Sequence, residues 1–155
     1  MPGMPNISKI LVVGPRGSGK TSLICRIVFD SLEECVQVPG QFMKYSYVTD
    51  DGNTVQFLFK EVNSLPAPEK KAGYILTLNS NNKDDIDLLP KILEMISDKG
   101  VVVALCKSDL HYSAAFWVDD VKRVVGNGVE IVPVSSVTGE NVPLLVKKLA
   151  RMVHS

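Results

Sequence analysis

Gly14-Pro15-Arg16-Gly17-Ser18-Gly19-Lys20-Thr21 fits the pattern G-x-x-x-x-G-K-[ST], and it stands between the apolar run Ile10-Leu11-Val12-Val13 and a helical signal over residues 21–30. The spelling has a physical reason. Glycines let the backbone curl so that successive N–H groups point into one anion-sized hollow. Lys20 carries an ammonium suited to the outer phosphates of a nucleotide, and the Thr21 hydroxyl is suited to Mg2+. The helix that starts at Thr21-Ser22 adds its positive end to the same place. Phosphate contacts are therefore expected from Gly14, Arg16, Gly17, Ser18, Gly19, Lys20, Thr21 and Ser22. A purely structural turn fits less well, because such turns usually lack the Gly-Lys-Thr ending.

Outward from this loop, hydrophobic periodicity alternates between strand and helix. Strand patterns cover residues 9–13, 42–49, 54–62, 74–78, 101–106 and 129–133; helical patterns cover 21–30, 87–98, 114–125 and 142–153. Asp50-Asp51-Gly52-Asn53 reads as a tight hairpin turn between the second and third strands. Gly100 and Gly126 read as helix stops, and Asn141 as an N-cap with Pro143 in the first turn. Near-continuous apolar runs such as Val101-Val102-Val103-Ala104-Leu105 belong to strands covered on both faces. The expected fold is α/β: a three-layer sandwich around a mostly parallel six-stranded sheet with one antiparallel edge strand. Residues 1–6 read as a flexible leader and 7–155 as one domain. In such folds ligands sit at the carboxyl ends of strands, where the glycine-rich loop lies.

Composition narrows the class. The chain has 155 residues, 45% hydrophobic and 22% charged, with 17 Lys+Arg against 17 Asp+Glu. That balance makes no electrostatic case for nucleic acid or a membrane surface as partner. Cys25, Cys35 and Cys106 lack metal-type spacing and read as reduced thiols of a cytoplasmic or nuclear protein. No signal peptide or spanning run is present, the ending Arg151-Met152-Val153-His154-Ser155 has no prenylation cysteine, and Pro2 excludes N-myristoylation, so no direct membrane anchor is expected. Phe116 and Trp117 read as helix anchors to the core. His111, His154, Lys70-Lys71 and Lys147-Lys148 read as solvent-facing.

Two further stretches follow apolar strands: Cys106-Lys107-Ser108-Asp109-Leu110-His111, and Val134-Ser135-Ser136-Val137-Thr138-Gly139-Glu140-Asn141. With the glycine-rich loop, they resemble the Ras-like small GTPase family of P-loop NTPases over nearly the whole chain. The resemblance implies that Cys106–Asp109 is the guanine motif N/T-K-x-D. Asp109 would accept from guanine N1–H and its exocyclic amine, Lys107 would lie along the base face, and Leu110 would follow them in the site. Ser135-Ser136-Val137 resembles the S-A-K loop whose backbone meets guanine O6, although both serines also read as ordinary polar residues before a helix. GTP or GDP with Mg2+ is the implied ligand.

The departures from the family matter as much. Cys106 stands where the motif has Asn, and Val137 where it has Lys. Aligning the Asp51-Gly52 hairpin puts Glu61-Val62-Asn63-Ser64 at the D-x-x-G position. Glu61 then serves the metal or its water by a longer arm, or is an edge-strand carboxylate, rather than a catalytic base. Ser64 replaces the glycine that senses the γ-phosphate, and Leu65 falls where an active hydrolase has a water-orienting Gln. Residues 31–41 contain no threonine for the first switch; Val38 or Pro39 fills that place. Arg16 occupies a position many members keep small.

Residues 44–64 together with Ala104–His111 look most like the C-terminal GTPase domain of the mitochondrial Rho (Miro) family; Rab-like intraflagellar-transport GTPases are the rival match. The resemblance implies an excised domain working in organelle or vesicle trafficking through protein effectors or adaptors, at the cytosolic face of the mitochondrial outer membrane if anchored by a longer chain. The expected activity is slow or partner-assisted GTP hydrolysis, with Lys20 and Thr21 as its catalytic residues. The alternatives are a pseudo-GTPase interaction scaffold with structural nucleotide, or a scaffold with none.

Overall fold

The computed structural model describes residues 6–33, 35, 41–63, 72–96 and 100–154. Val38, Pro39, Ser64, Leu65, Lys70 and Lys71, on which the switch and surface expectations fall, lie outside the described residues, as does most of the expected leader. Asn6, placed in that leader, opens the first strand instead.

The elements run β1 (Asn6–Val13), α1 (Lys20–Phe29), β2 (Met43–Val48), β3 (Thr54–Glu61), β4 (Gly73–Asn79), α2 (Lys83–Ile96), β5 (Val101–Cys106), a short 3-10 helix (Ser108–Ser113), α3 (Val118–Val125), β6 (Glu130–Pro133) and α4 (Val142–His154). The sheet order is β2-β3-β1-β4-β5-β6. Only β2 runs antiparallel, paired with β3 through Tyr45↔Phe57; β1 sits between β3 and β4 in parallel register. The Asp50–Asn53 hairpin forms as expected, with Gly52 at φ 86 and its N–H donating to the Thr49 carbonyl at 3.0 Å.

Alternation along β1 builds the two cores. Ile10 and Val12 point to one face, where Leu23, Ile24 and Ile27 of α1 and Leu145, Val146 and Leu149 of α4 cover them. Leu11 and Val13 point to the other, packed with Leu89 and Ile96 of α2 and Val121 of α3. Fully apolar strands such as β5 are the consequence of burial on both faces. The result is an α/β sandwich with a mostly parallel six-stranded sheet and one antiparallel pair.

Several local expectations change. The helix read over 114–125 begins only at Val118, because Ala115 and Phe116 donate their N–H groups to the Ser80 carbonyl and so pass the core in a non-helical segment. Phe116 is buried and Trp117 half-buried, as read from the sequence; His111 is exposed, also as read, with its ring tilted against that of Trp117 at 4.1 Å between centroids. The second helix begins at Lys83, four residues early, where Asn82 accepts the Asp84 N–H at 3.1 Å. Asn141 does precede α4, but at φ 60, and its side chain donates back to the Pro133 carbonyl instead of capping the helix. Cys25 and Cys35, expected as reduced thiols, form a disulfide; their Cα atoms are 5.3 Å apart, within bridging range. Cys106 is free and buried. Among the described residues no helix is long and apolar enough to cross a membrane.

Candidate functional site

Because β1, β3, β4, β5 and β6 are parallel, their carboxyl ends open on one edge of the molecule, and every stretch singled out above follows one of those ends. The glycine-rich loop leaves β1 beneath a fixed ceiling. Thr77 of β4, fully buried, donates its hydroxyl to the Val13 carbonyl at 3.2 Å and bonds the Ser18 hydroxyl at 2.6 Å. A Cβ on Gly14 would come within 2.4 Å of the Thr77 carbonyl, so only glycine passes there. Gly19, at φ 107, turns the chain into α1 and accepts the Leu23 N–H at 2.9 Å.

The start of α1 is open. Gly19 offers no side-chain cap, and the first turn holds no acidic residue. Such an end presents unpaired N–H groups and a positive partial charge. Around it lies a cavity of about 350 Å³ lined by Arg16, Gly17, Gly19, Lys20, Thr21, Ser22, Glu61, Asn63 and Lys107. Lys20 is 7% exposed and donates to the Gly14 and Pro15 carbonyls at 2.9 and 3.2 Å. Burial lowers its pKa, while the Glu61 and Asp85 carboxylates pull it back up. The Thr21 hydroxyl contacts Glu61 Oε1, and Asn63 donates to Glu61 Oε2 at 3.3 Å. The donor set fits a phosphate-bound Mg2+. That ion takes one or two protein oxygens beside phosphates and water, so it does not require the three-residue acidic or imidazole cluster that the described residues lack.

The residues that follow β5 and β6 form a second group. Lys107 lies exposed at φ 65 after β5 and reaches the cavity, whereas Asp109, Ser135, Ser136 and Val137 do not line it. Asp109 is exposed, and its Oδ1 accepts from the buried Ser135 hydroxyl at 2.9 Å. That hydroxyl also accepts the Thr138 N–H at 3.0 Å. Ser135 is thus built into the loop rather than being a loose polar residue before a helix. Ser136 is half-buried, Val137 is 64% exposed, and Leu110 is half-buried in the 3-10 helix. Cys106, in the place of the motif's Asn, abuts Gly19: a Cβ there would lie 3.4 Å from its Sγ. Burial pushes its thiol pKa up to about 12, so it is a packing group and not a nucleophile.

Three residues of this edge escaped sequence reading. Thr77 left a signal, a hydroxyl within an otherwise apolar strand. Asp85 left a weaker one, an acid in a helix's first turn; it is buried and accepts the Asn79 N–H at 2.7 Å. Arg26 left only its i,i+4 spacing to Asp30, since its other partners are more than a hundred residues away. No family model matches the chain, and no curated protein matches it.

Proposed function

We propose that this chain is a Ras-like, P-loop small GTPase domain that binds GTP or GDP with Mg2+ and hydrolyses GTP slowly or with a partner's help. The observation that carries the reading is the uncapped start of α1 opening into a cavity that Lys20, Thr21 and Glu61 also line. Lys20 exchanges its two loop carbonyls for phosphate oxygens, and the N–H groups of the first turn supply neutral donors beside it. Thr21 and Glu61, already in contact, supply the protein oxygens for the metal. Mg2+ supplies neutralisation of the charge on the outer phosphates. Asp109, held by Ser135 through one carboxylate oxygen, selects guanine over adenine.

Hydrolysis is slow in this reading because, among the described residues, no Gln, the usual water-orienting residue, lines the cavity; Glu61 is engaged by Thr21 and Asn63. Protein effectors or adaptors as partners, trafficking as the process, and a cytosolic or mitochondrial-surface site of action belong to the same resemblance. A second reading, a pseudo-GTPase scaffold, draws on the same loop: Lys20 is satisfied by the loop's own carbonyls without any ligand.

A fluorescent-nucleotide titration with GTP, GDP and ATP, with and without Mg2+, tests the reading. Guanine-selective, Mg2+-dependent binding that Lys20→Met abolishes while the thermal unfolding midpoint stays within a few degrees is the expected result. Equal binding by Lys20→Met would remove the phosphate cradle from the proposal. Single-turnover phosphate release then separates the slow hydrolase from the scaffold.

A further inference from the structure

We infer that Arg26 is a positioning residue that locks the base-reading loop onto the helix following the phosphate loop, so that losing its guanidinium costs guanine preference and leaves phosphate affinity intact. This role presumes that the site binds guanine nucleotide as proposed above. Arg26 lies on α1, less than two turns beyond Lys20. Its Nε donates to the Ser136 carbonyl at 2.7 Å and one Nη to the Val137 carbonyl at 2.9 Å. The other Nη donates to the carbonyl of Asp30, the residue that ends α1, at 2.9 Å. The side chain is only 17% exposed, so these charge-assisted bonds are poorly screened.

The loop therefore hangs between two anchors. On one side the Ser135 hydroxyl meets Asp109; on the other, two successive carbonyls meet one guanidinium. Cys106 makes the second anchor matter. Its Sγ bonds the Ala104 carbonyl of its own strand at 3.6 Å and touches Gly19 only by packing. Arg26 supplies a polar tie between the phosphate end and the base end of the site from α1. A planar fork spans both carbonyls at once; a lysine ammonium reaches one of them well.

The test compares the parent with Arg26→Gln and Arg26→Lys, using GTP, ATP and tripolyphosphate as probes in Mg2+. The base-free probe reports the phosphate end alone. The expected result for Arg26→Gln is GTP affinity weakened about tenfold, the size of one lost charge-assisted bond, with tripolyphosphate affinity unchanged and the GTP-to-ATP ratio reduced. Arg26→Lys recovers part of that ratio. A folded Arg26→Gln that keeps the parent's ratio overturns the role, as does an equal loss for GTP and tripolyphosphate. If Arg26→Gln does not fold, amide exchange in Arg26→Lys decides: faster exchange confined to residues 135–139 supports the tie, and unchanged exchange there overturns it. A parent that binds no GTP removes the nucleotide reading itself, an outcome visible before any substitution is made.

Discussion

Asp85, in the first turn of α2, and Asp109, in the 3-10 helix after β5, are both acids at the start of a helical element, yet burial separates their jobs. Asp85 lies inside, accepting the Asn79 N–H, and burial raises its pKa despite that bond and the nearby Lys20 ammonium. A carboxyl whose folded pKa is raised keeps its proton in the folded state where the unfolded chain has lost it. Its contribution to stability is full below the unfolded pKa and is lost as pH rises through the folded one. Asp85→Asn keeps an acceptor for the Asn79 N–H and removes the ionisation. We expect that variant to be more stable than the parent by about 1 kcal/mol at neutral pH, the gap closing toward about pH 4, in thermal unfolding read across that range. A variant less stable than the parent at neutral pH would mean that the charge is needed by Lys20. Asp109, by contrast, is exposed, and Ser135 occupies only one of its oxygens. Asp109→Asn is expected to weaken GTP binding by about 1.5–3 kcal/mol, on the order of 10- to 100-fold, with tripolyphosphate binding unaffected; equal losses for both ligands would argue against base reading.

Helix α2 contains Pro90 well inside its span, on an exposed position. A proline there has no N–H for the carbonyl one turn back and crowds it as well. Since the ring covers no core, Pro90→Ala should stabilise the protein by on the order of 2 kcal/mol, which raises the thermal midpoint by roughly 4–8 °C for a chain of this size. An unchanged midpoint would show that α2 does not run continuously through residue 90. The neighbouring element teaches the opposite lesson about periodicity. Ala114, Ala115, Phe116 and Trp117 carry apolar spacing that reads as helix, but the Ser80 carbonyl takes two of their N–H groups, and a helix there would forfeit both bonds. Tertiary hydrogen bonding overrides local pattern at that point, and α3 starts only where Asp120 caps the Trp117 N–H at 2.9 Å.

At the scale of the molecule, β1 sits inside the sheet and sends its loop to the edge where the other parallel strands also end. The disulfide belongs to this scale too, because it joins Cys25 on α1 to Cys35 in the segment leading towards β2. The two cysteines are 10 residues apart. Closing a loop of that size in the unfolded chain removes entropy worth about 2–3 kcal/mol. Thiol titration in denaturant without reductant is expected to find one group per chain, Cys106, and Cys35→Ser to lower the thermal midpoint by roughly 5–10 °C. Three titratable thiols under those conditions would rule the bond out.

The layered fold was legible from sequence because it depends on short-range regularities. Among the described residues, alternating strand and helix periods, apolar runs for doubly covered strands, and the Asp50–Asn53 turn identified the six strands and four α-helices, with errors at the ends, and missed the 3-10 helix Ser108–Ser113. The glycine-rich loop was legible for the same reason: its backbone conformation and its lysine lie within eight residues. Sequence also pointed to Glu61, Asp109 and Ser135, but only through resemblance. Their contacts, Thr21 with Glu61 and Ser135 with Asp109, span tens of residues and exist only when parallel strands bring their ends to one edge. Asn141, Cys25 and Cys35 show the same limit, since a side chain's partner is chosen by what the fold places beside it. Arg26 is the extreme case. Asp30, four residues on, marks it only as one half of a helix-surface ion pair; its place between α1 and residues 136–137 was decided by tertiary structure alone, because a long, always-charged side chain takes whichever carbonyls packing leaves within its reach.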